Sequence, residues 1–244
     1  MPRYKLTIEY DGTGYAGWQR QPSLPTIQAS IEEAIRSITQ ASSTVTGAGR
    51  TDAGVHALGQ VASFESDKAL SPEEWTRALN GVLPRDINVI STEVAPDAFH
   101  ARYSALSKMY EYRILNRRER SALARDRAWH IRDPLDLAAM REAAAFLLGN
   151  HDFSSFQGHP TDTEDPQCNL MCLEITTTGH VVRVATRGDR FLKQMVRAIV
   201  GTLVEVGRGS RRAQSLEDIL AAKDRRAAGY TAPAHGLYLV KVEY

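Results

Sequence analysis

A chain of 244 residues is too long for one small module and suits one large domain or two of ordinary size. Hydrophobic residues make up 43% and charged residues 24%, as in a globular chain with a buried core, and a net charge of +1 names no partner by itself. No run of about 18 apolar residues occurs, MPRYKLTIEY lacks the apolar centre of a signal peptide, and two cysteines, Cys168 and Cys172, exclude a disulfide framework. A cytoplasmic protein with no membrane association is therefore expected.

Tyr4 to Tyr10 alternates and is rich in strand formers, so it predicts a strand. The glycine-rich stretch DGTGYAGWQRQP then predicts a loop. Thr26 is placed to cap a helix whose Ile27, Ile31, Ala34, Ile35 and Ile38 share one face. Short strands are expected at Thr44 to Gly47 and Gln60 to Glu65, on either side of the loop GAGRTDAGVHA. Ser71-Pro72-Glu73-Glu74 has the form of a capping box and opens a helix to about Leu83, and Ile87 to Val94 predicts another strand.

A second set of elements begins near Ser104, which divides the chain into domains at 1–103 and 104–244. Lys108 to Leu115 predicts a strand, and Asp133-Pro134 a helix running to Leu148 and stopped by Gly149. Gln157 to Asn169 is polar and is expected to be a mobile surface loop. A hairpin about Gly179 joins Leu173 to Thr178 with His180 to Arg187. Helices follow at Phe191 to Val206 and Ser215 to Lys223, and Leu237 to Val242 closes with a strand. Strands and helices mix without strict alternation, so the fold class is α+β.

The chemistry-bearing candidates are few. In the Gly47 to Ala57 loop, three glycines flank Asp52 and permit close approach of a ligand; the same composition also suits a turn in which Asp52 bonds its own backbone. No phosphate-binding or dinucleotide glycine motif is present, and Cys168 and Cys172 lack a second ligand pair at zinc spacing, so no cofactor and no metal are expected. From Ser107 to Arg132 eight basic residues face three acidic ones, which suits either an anionic partner or a solvated face. Tyr110 and Tyr112 share one face of their strand, where a tyrosine can stack on an extruded base or pack in the core. Arg197 lies within the apolar run MVRAIVG and requires either a carboxylate, for which Asp52 is a candidate, or an extended route to solvent.

The loop Gly49 to Ala57, GRTDAGVHA, resembles the signature of the TruA family of tRNA pseudouridine synthases. Further segments resemble that family in the same order: Ile8 to Gly12 with Gly17 to Gln21, Phe99 to Ala105, Met195 to Arg197 with Ile199 to Gly201 and Glu205 to Gly207, Ala222 to Arg225, and Gly236 to Leu239. The resemblance implies two ferredoxin-like, RRM-like α/β domains with sheets joined across a central active-site cleft. It implies a homodimer that isomerises uridine to pseudouridine at positions 38, 39 and 40 of the tRNA anticodon stem-loop. It further implies Asp52 as nucleophile, Arg197 as its ion-pair partner, Arg50 in expelling the target nucleotide and Tyr110 against the target base. Ala198, where many members carry asparagine, and Cys168, where a basic or polar residue is usual, depart from the pattern. The alternatives are a noncatalytic RRM-like RNA-binding protein, which gives no reason for an Arg–Asp pair, and a nucleosidase, which has no use for basic surfaces.

Overall fold

The computed structural model describes residues 1–161 and 163–244. In chain order the first elements are β1 (Arg3–Tyr10), α1 (Ile27–Thr39), β2 (Thr46–Gly47), β3 (His56–Glu65), α2 (Pro72–Val82) and β4 (Ile87–Ala95). There follow β5 (Ser107–Asn116), β6 (Trp129–Ile131), α3 (Leu137–Ala145), β7 (Gly149–Asp152), β8 (Gln167–Thr178) and β9 (Val181–Gly188). The last are α4 (Met195–Gly207), α5 (Ser215–Ala222) and β10 (Leu237–Glu243). The α+β class holds. The chain forms two compact units, one of residues 1–106 with 238–244 and one of 107–237.

In the first unit β4, β1 and β3 form an antiparallel run, with Tyr4 opposite Phe64 on one side and Val94 on the other. The free edge of β3 takes β2 antiparallel at one end and β10 parallel at the other, where Tyr238 faces His56. Alternation works as read: Tyr4, Leu6, Ile8 and Tyr10 are buried along β1. Thr26 caps α1 by accepting from Ala29 N, and Ser71 and Glu74 close the capping box of α2. Trp75 of α2 completes an aromatic cluster with Tyr4 and Phe64, with ring centroids 5.0–5.5 Å apart.

In the second unit β5, β9, β8 and β7 run antiparallel, and β6 pairs with β5 in parallel. Helix α4 is buried almost all round, as its apolar sequence requires. Its Arg197, Gly201 and Glu205, spaced four apart, lie along one stripe. The segment 229–233 crosses that stripe as a strap. Arg197 Nε donates to Ala232 O at 2.8 Å, and Ala232 N donates to Arg197 O at 3.0 Å. Gly229 N donates to Thr202 Oγ1 at 2.9 Å and Tyr230 N to Glu205 Oε1 at 3.3 Å. Tyr112 donates from its hydroxyl to Pro233 O at 2.7 Å. A Cβ on Gly201 would fall 1.8 Å from Tyr230 O, so only glycine lets the strap lie this close.

Several boundaries differ from the sequence reading: β3 begins at His56 rather than Gln60, β8 at Gln167 rather than Leu173, and α3 ends at Ala145 rather than Leu148. Helix α3 starts at Leu137 with Asp136 as cap: Asp133 O, which a helix from Pro134 would use internally, is taken by Asn116 Nδ2 at 2.8 Å, and the Asp136 side chain accepts from Ala138 N and Ala139 N. Helix α4 starts at Met195 rather than Phe191: Lys193 O is taken by Gly158 N at 2.8 Å, and Gln194 sits in the left-handed region at φ 58°. The polar stretch from Gln157, expected to be mobile, is tied down. Gln157 is buried and donates to Thr161 Oγ1 at 3.1 Å, Arg190 binds Asp165, and Gln167 to Asn169 already belong to β8. Asp162 of that stretch lies outside the described residues.

Gly201→Ala should lower stability by about 1–3 kcal/mol, since the added methyl must push backbone aside. Gly81→Ala, on the exposed face of α2 with nothing within 4 Å of the new Cβ, should raise it by about 0.5–1 kcal/mol. Urea unfolding of the two variants reads both signs; equal effects would mean that the strap has room to move.

Candidate active site

The GRTDAGVHA loop runs from β2 to the start of β3, and the preceding glycine-rich loop closes over it. Thr51 and Val55 are buried, whereas Asp52 between them is half-buried. Thr51 is held twice: its carbonyl accepts from Trp18 N at 3.0 Å, and its hydroxyl meets Tyr10 Oη at 2.8 Å. Gly54 N donates to Tyr15 O at 3.3 Å, and Val55 N closes a turn onto Asp52 O at 3.1 Å. Gln60 Nε2 donates to Gly49 O at 2.9 Å.

The approach is closer than any side chain would permit. A Cβ on Gly12 would fall 2.0 Å from Val55 O, and one on Gly17 2.6 Å from Thr51 O. Gly17 also sits at φ +95°, where residues with a Cβ are strained. A Cβ on Gly47 would strike the Trp18 ring at 2.5 Å. His56 is buried, stacks on Tyr238 with centroids 4.8 Å apart, and places Nδ1 3.1 Å from both Gly12 N and Asp11 Oδ1. Neutral His56 with its hydrogen on Nε2 accepts from Gly12 N, whereas with a hydrogen on Nδ1 it donates to Asp11. Burial pushes the Tyr10 hydroxyl up to about 12, with the bonds to Thr51 and Gln60 acting in the opposite direction, so it stays protonated.

Arg50 lies on the same loop and donates from Nε to Gln19 Oε1 at 3.0 Å. Asp52 and Arg50 therefore share one loop of the first unit. Tyr110 and Arg197 belong to the second. Tyr110 is buried on β5, 7% exposed, with its ring edge-on to Phe191 at 5.0 Å. Its ring is packed, with a small exposed part. Arg197 is half-buried on α4 and is oriented by the strap carbonyl of Ala232. Its charge acts on two neighbours. Burial drives the Tyr112 hydroxyl well above the ordinary tyrosine range, against the pull of Arg197. Burial lowers His235, and Arg197 adds to that lowering while Asp126 opposes it.

A family profile described as tRNA pseudouridine synthase matches residues 6–104 and 143–244. The chain belongs to the tRNA pseudouridine synthase family. Among similar proteins is the tRNA pseudouridine synthase A of Rhodopseudomonas palustris strain BisA53, 49% identical over the whole of both chains. The enzyme of that name from Afipia carboxidovorans is 46% identical, again over the whole of both chains. That from Azorhizobium caulinodans is 46% identical over all of this chain and 95% of its own length. As a member of this family the chain is an isomerase that acts in RNA modification. Among the described residues no group of three or more His, Cys, Asp or Glu side chains could hold a metal ion, and no helix is long and apolar enough to cross a membrane.

Sequence reasoning assigned no role to Tyr10, Gly12, Trp18, His56 or Glu205. The Ile8 to Gly12 and Gly17 to Gln21 segments carried the family resemblance, but nothing local says that they hold the motif loop about 40 residues away. Because they do, Gly17→Ala should slow synthase turnover about 100-fold, as expected for a reacting group displaced by about 1 Å. Gly14→Ala, on the same loop with open space at its Cβ, should leave turnover unchanged. Equal turnover in the two variants would show that the loop tolerates displacement.

Proposed function

We propose that this synthase converts uridine to pseudouridine at positions 38, 39 and 40 of the tRNA anticodon stem-loop, with Asp52 as nucleophile. The observation that carries the reading is the motif loop itself. Thr51 on one side of Asp52 is buried and doubly held, Val55 beyond it is buried, and Asp52 between them remains half-buried. Arg197 serves as counter-ion to Asp52, Arg50 displaces the target nucleotide, and Tyr110 contacts the target base. The protein acts in the cytoplasm as a homodimer and without a cofactor.

The chemistry matches these roles. The C1′–N1 bond breaks, the uracil turns, C1′ joins C5, the C5 proton leaves and N1 gains one. Electrons balance within the substrate, so no redox partner is needed. The carboxylate attacks C1′ or the ring, or steadies a glycal route; each requires the ionised form, which a neighbouring guanidinium favours. Taking the uridine out of its stack costs a few kcal/mol, which contacts in the pocket must offset.

Asp52→Asn keeps size and removes charge and nucleophile. Turnover, measured as tritium release from C5 of labelled tRNA, should fall below detection. Affinity for tRNA should change little, because phosphate contacts dominate binding. Substantial turnover in a folded Asp52→Asn variant would end the proposed mechanism.

The buried ring of Tyr110 places weight on its hydroxyl. Tyr110→Phe should bind tRNA normally and lose about 100-fold or more in turnover if the hydroxyl moves the C5 proton. Tyr110→Ala should in addition lose about 3 kcal/mol or more of stability by opening a cavity beside Phe191. Full turnover in Tyr110→Phe would leave the ring with a packing role alone.

A further inference from the structure

The basic stretch of β5 and its following loop is not uniformly available to a partner. Arg113 is engaged by Glu111 at 2.6 Å and Arg125 by Asp126 at 2.9 Å. Arg117 turns its guanidinium back onto its own loop, donating to Glu119 O at 2.9 Å and Arg120 O at 3.3 Å. Arg118 and Arg132 are different: both are exposed and neither makes a hydrogen bond or ion pair among the described residues. Together with Arg117, Asn116, Asp133 and Pro134 they line a groove of about 750 Å³ within the second unit.

The groove is built, not a chance gathering of side chains. Parallel pairing of β5 with β6 sets Asn116 opposite Ile131. Asn116 Nδ2 donates to Ile131 O at 3.1 Å and Asp133 O at 2.8 Å, and its Oδ1 accepts from Leu135 N at 3.3 Å. Arg117 N donates to Ile131 O at 3.2 Å, and His130 Nε2 lies 2.8 Å from Arg117 O. These bonds hook the chain carrying Arg118 to the chain carrying Arg132. Two uncommitted guanidinium forks are thereby presented just beyond the ends of the paired strands β5 and β6, on a concave, net positive surface.

We infer that this groove seats the sugar-phosphate backbone of the RNA substrate, with Arg118 and Arg132 as its phosphate contacts and Arg117 as the residue that shapes it. Planar guanidinium forks match phosphate oxygens. The Asp133 carboxylate, which has no side-chain partner among the described residues, suits a ribose 2′-hydroxyl and disfavours a bare phosphate. The inference rests on the tRNA reading above and adds to it where the backbone is held.

The test is binding of an unmodified tRNA transcript across a salt series. Arg118→Gln with Arg132→Gln should weaken binding at least tenfold at low salt and lower the slope of log affinity against log salt by about 1–2, the counterions released by two phosphates. Arg125→Gln removes one charge from the same segment, but one already paired with Asp126, and should leave the slope unchanged. A double variant with the slope of the unmutated protein, or a slope loss for Arg125→Gln as large as for the double variant, overturns the inference. Tritium release by the unmutated protein is measured alongside. If it releases label while the double variant binds normally, the groove assignment fails and the proposed function stands. If it releases none while the double variant loses slope, the proposed function fails and the groove stands as an RNA site.

Discussion

The close approach of two backbone stretches, the glycine-rich loop after β1 and the motif loop before β3, is the constraint on which the site depends. Gly12 and Gly17 let main chain meet main chain at distances no Cβ allows. The consequence is electrostatic as well as steric. Amide and carbonyl groups of Gly54, Val55, Thr51 and Gly49 are all engaged by fixed partners, so Asp52 is carried on a loop with little freedom to relax. A carboxylate that must meet a turned-out nucleoside is best supported by surroundings that need not reorganise when charge moves. The rigid elements beneath are ordinary: an alternating strand, a capped helix and an aromatic cluster.

The second unit solves a different problem with similar means. An arginine inside an apolar helix is costly unless its hydrogen-bonding groups are met. Here the strap 229–233 supplies a carbonyl to Arg197 and takes support from Thr202, Glu205 and Tyr112 in return. The stripe Arg197–Gly201–Glu205 is thus one device: a charge to be oriented, a gap that admits the strap, and a carboxylate that holds it. Arg225 reinforces it by donating to Gly229 O and Thr231 Oγ1, both at 2.8 Å.

Much of this was legible in the sequence. The caps at Thr26 and Ser71, the alternation along β1 and β5 and the turn at Gly179 depend on neighbours within a few residues, and they stand where the pattern put them. The family resemblance drew attention to Asp52, Arg50, Tyr110 and Arg197, but roles for these residues rest on chemistry that the fold alone does not exhibit. What sequence reading missed was set by distant partners. The starts of α3 and α4 moved because Asn116 Nδ2 and Gly158 N took carbonyls that local periodicity had reserved for the helices. Strands β6 and β7 are three and four residues long, too short to carry a period of their own. The glycines at positions 12 and 17 read as loop punctuation, whereas their need for space comes from residues more than 30 positions away.

The placement of β10 bears on how the chain is made. This strand lies against β3, its Val240 carbonyl so near Gly59 that a Cβ there would fall 2.5 Å away, and Leu106 N donates to Glu243 O at 2.8 Å. The first unit therefore takes its parallel strand from residues translated after the whole of the second unit. On a ribosome, residues 107–237 are the earliest continuous stretch to contain every element of its own unit. The edge of β3 next to the motif loop must wait. Synthesis thus completes the later unit first, and the Asp52 loop gains the neighbouring strand β10 only once residues 237–243 have been translated.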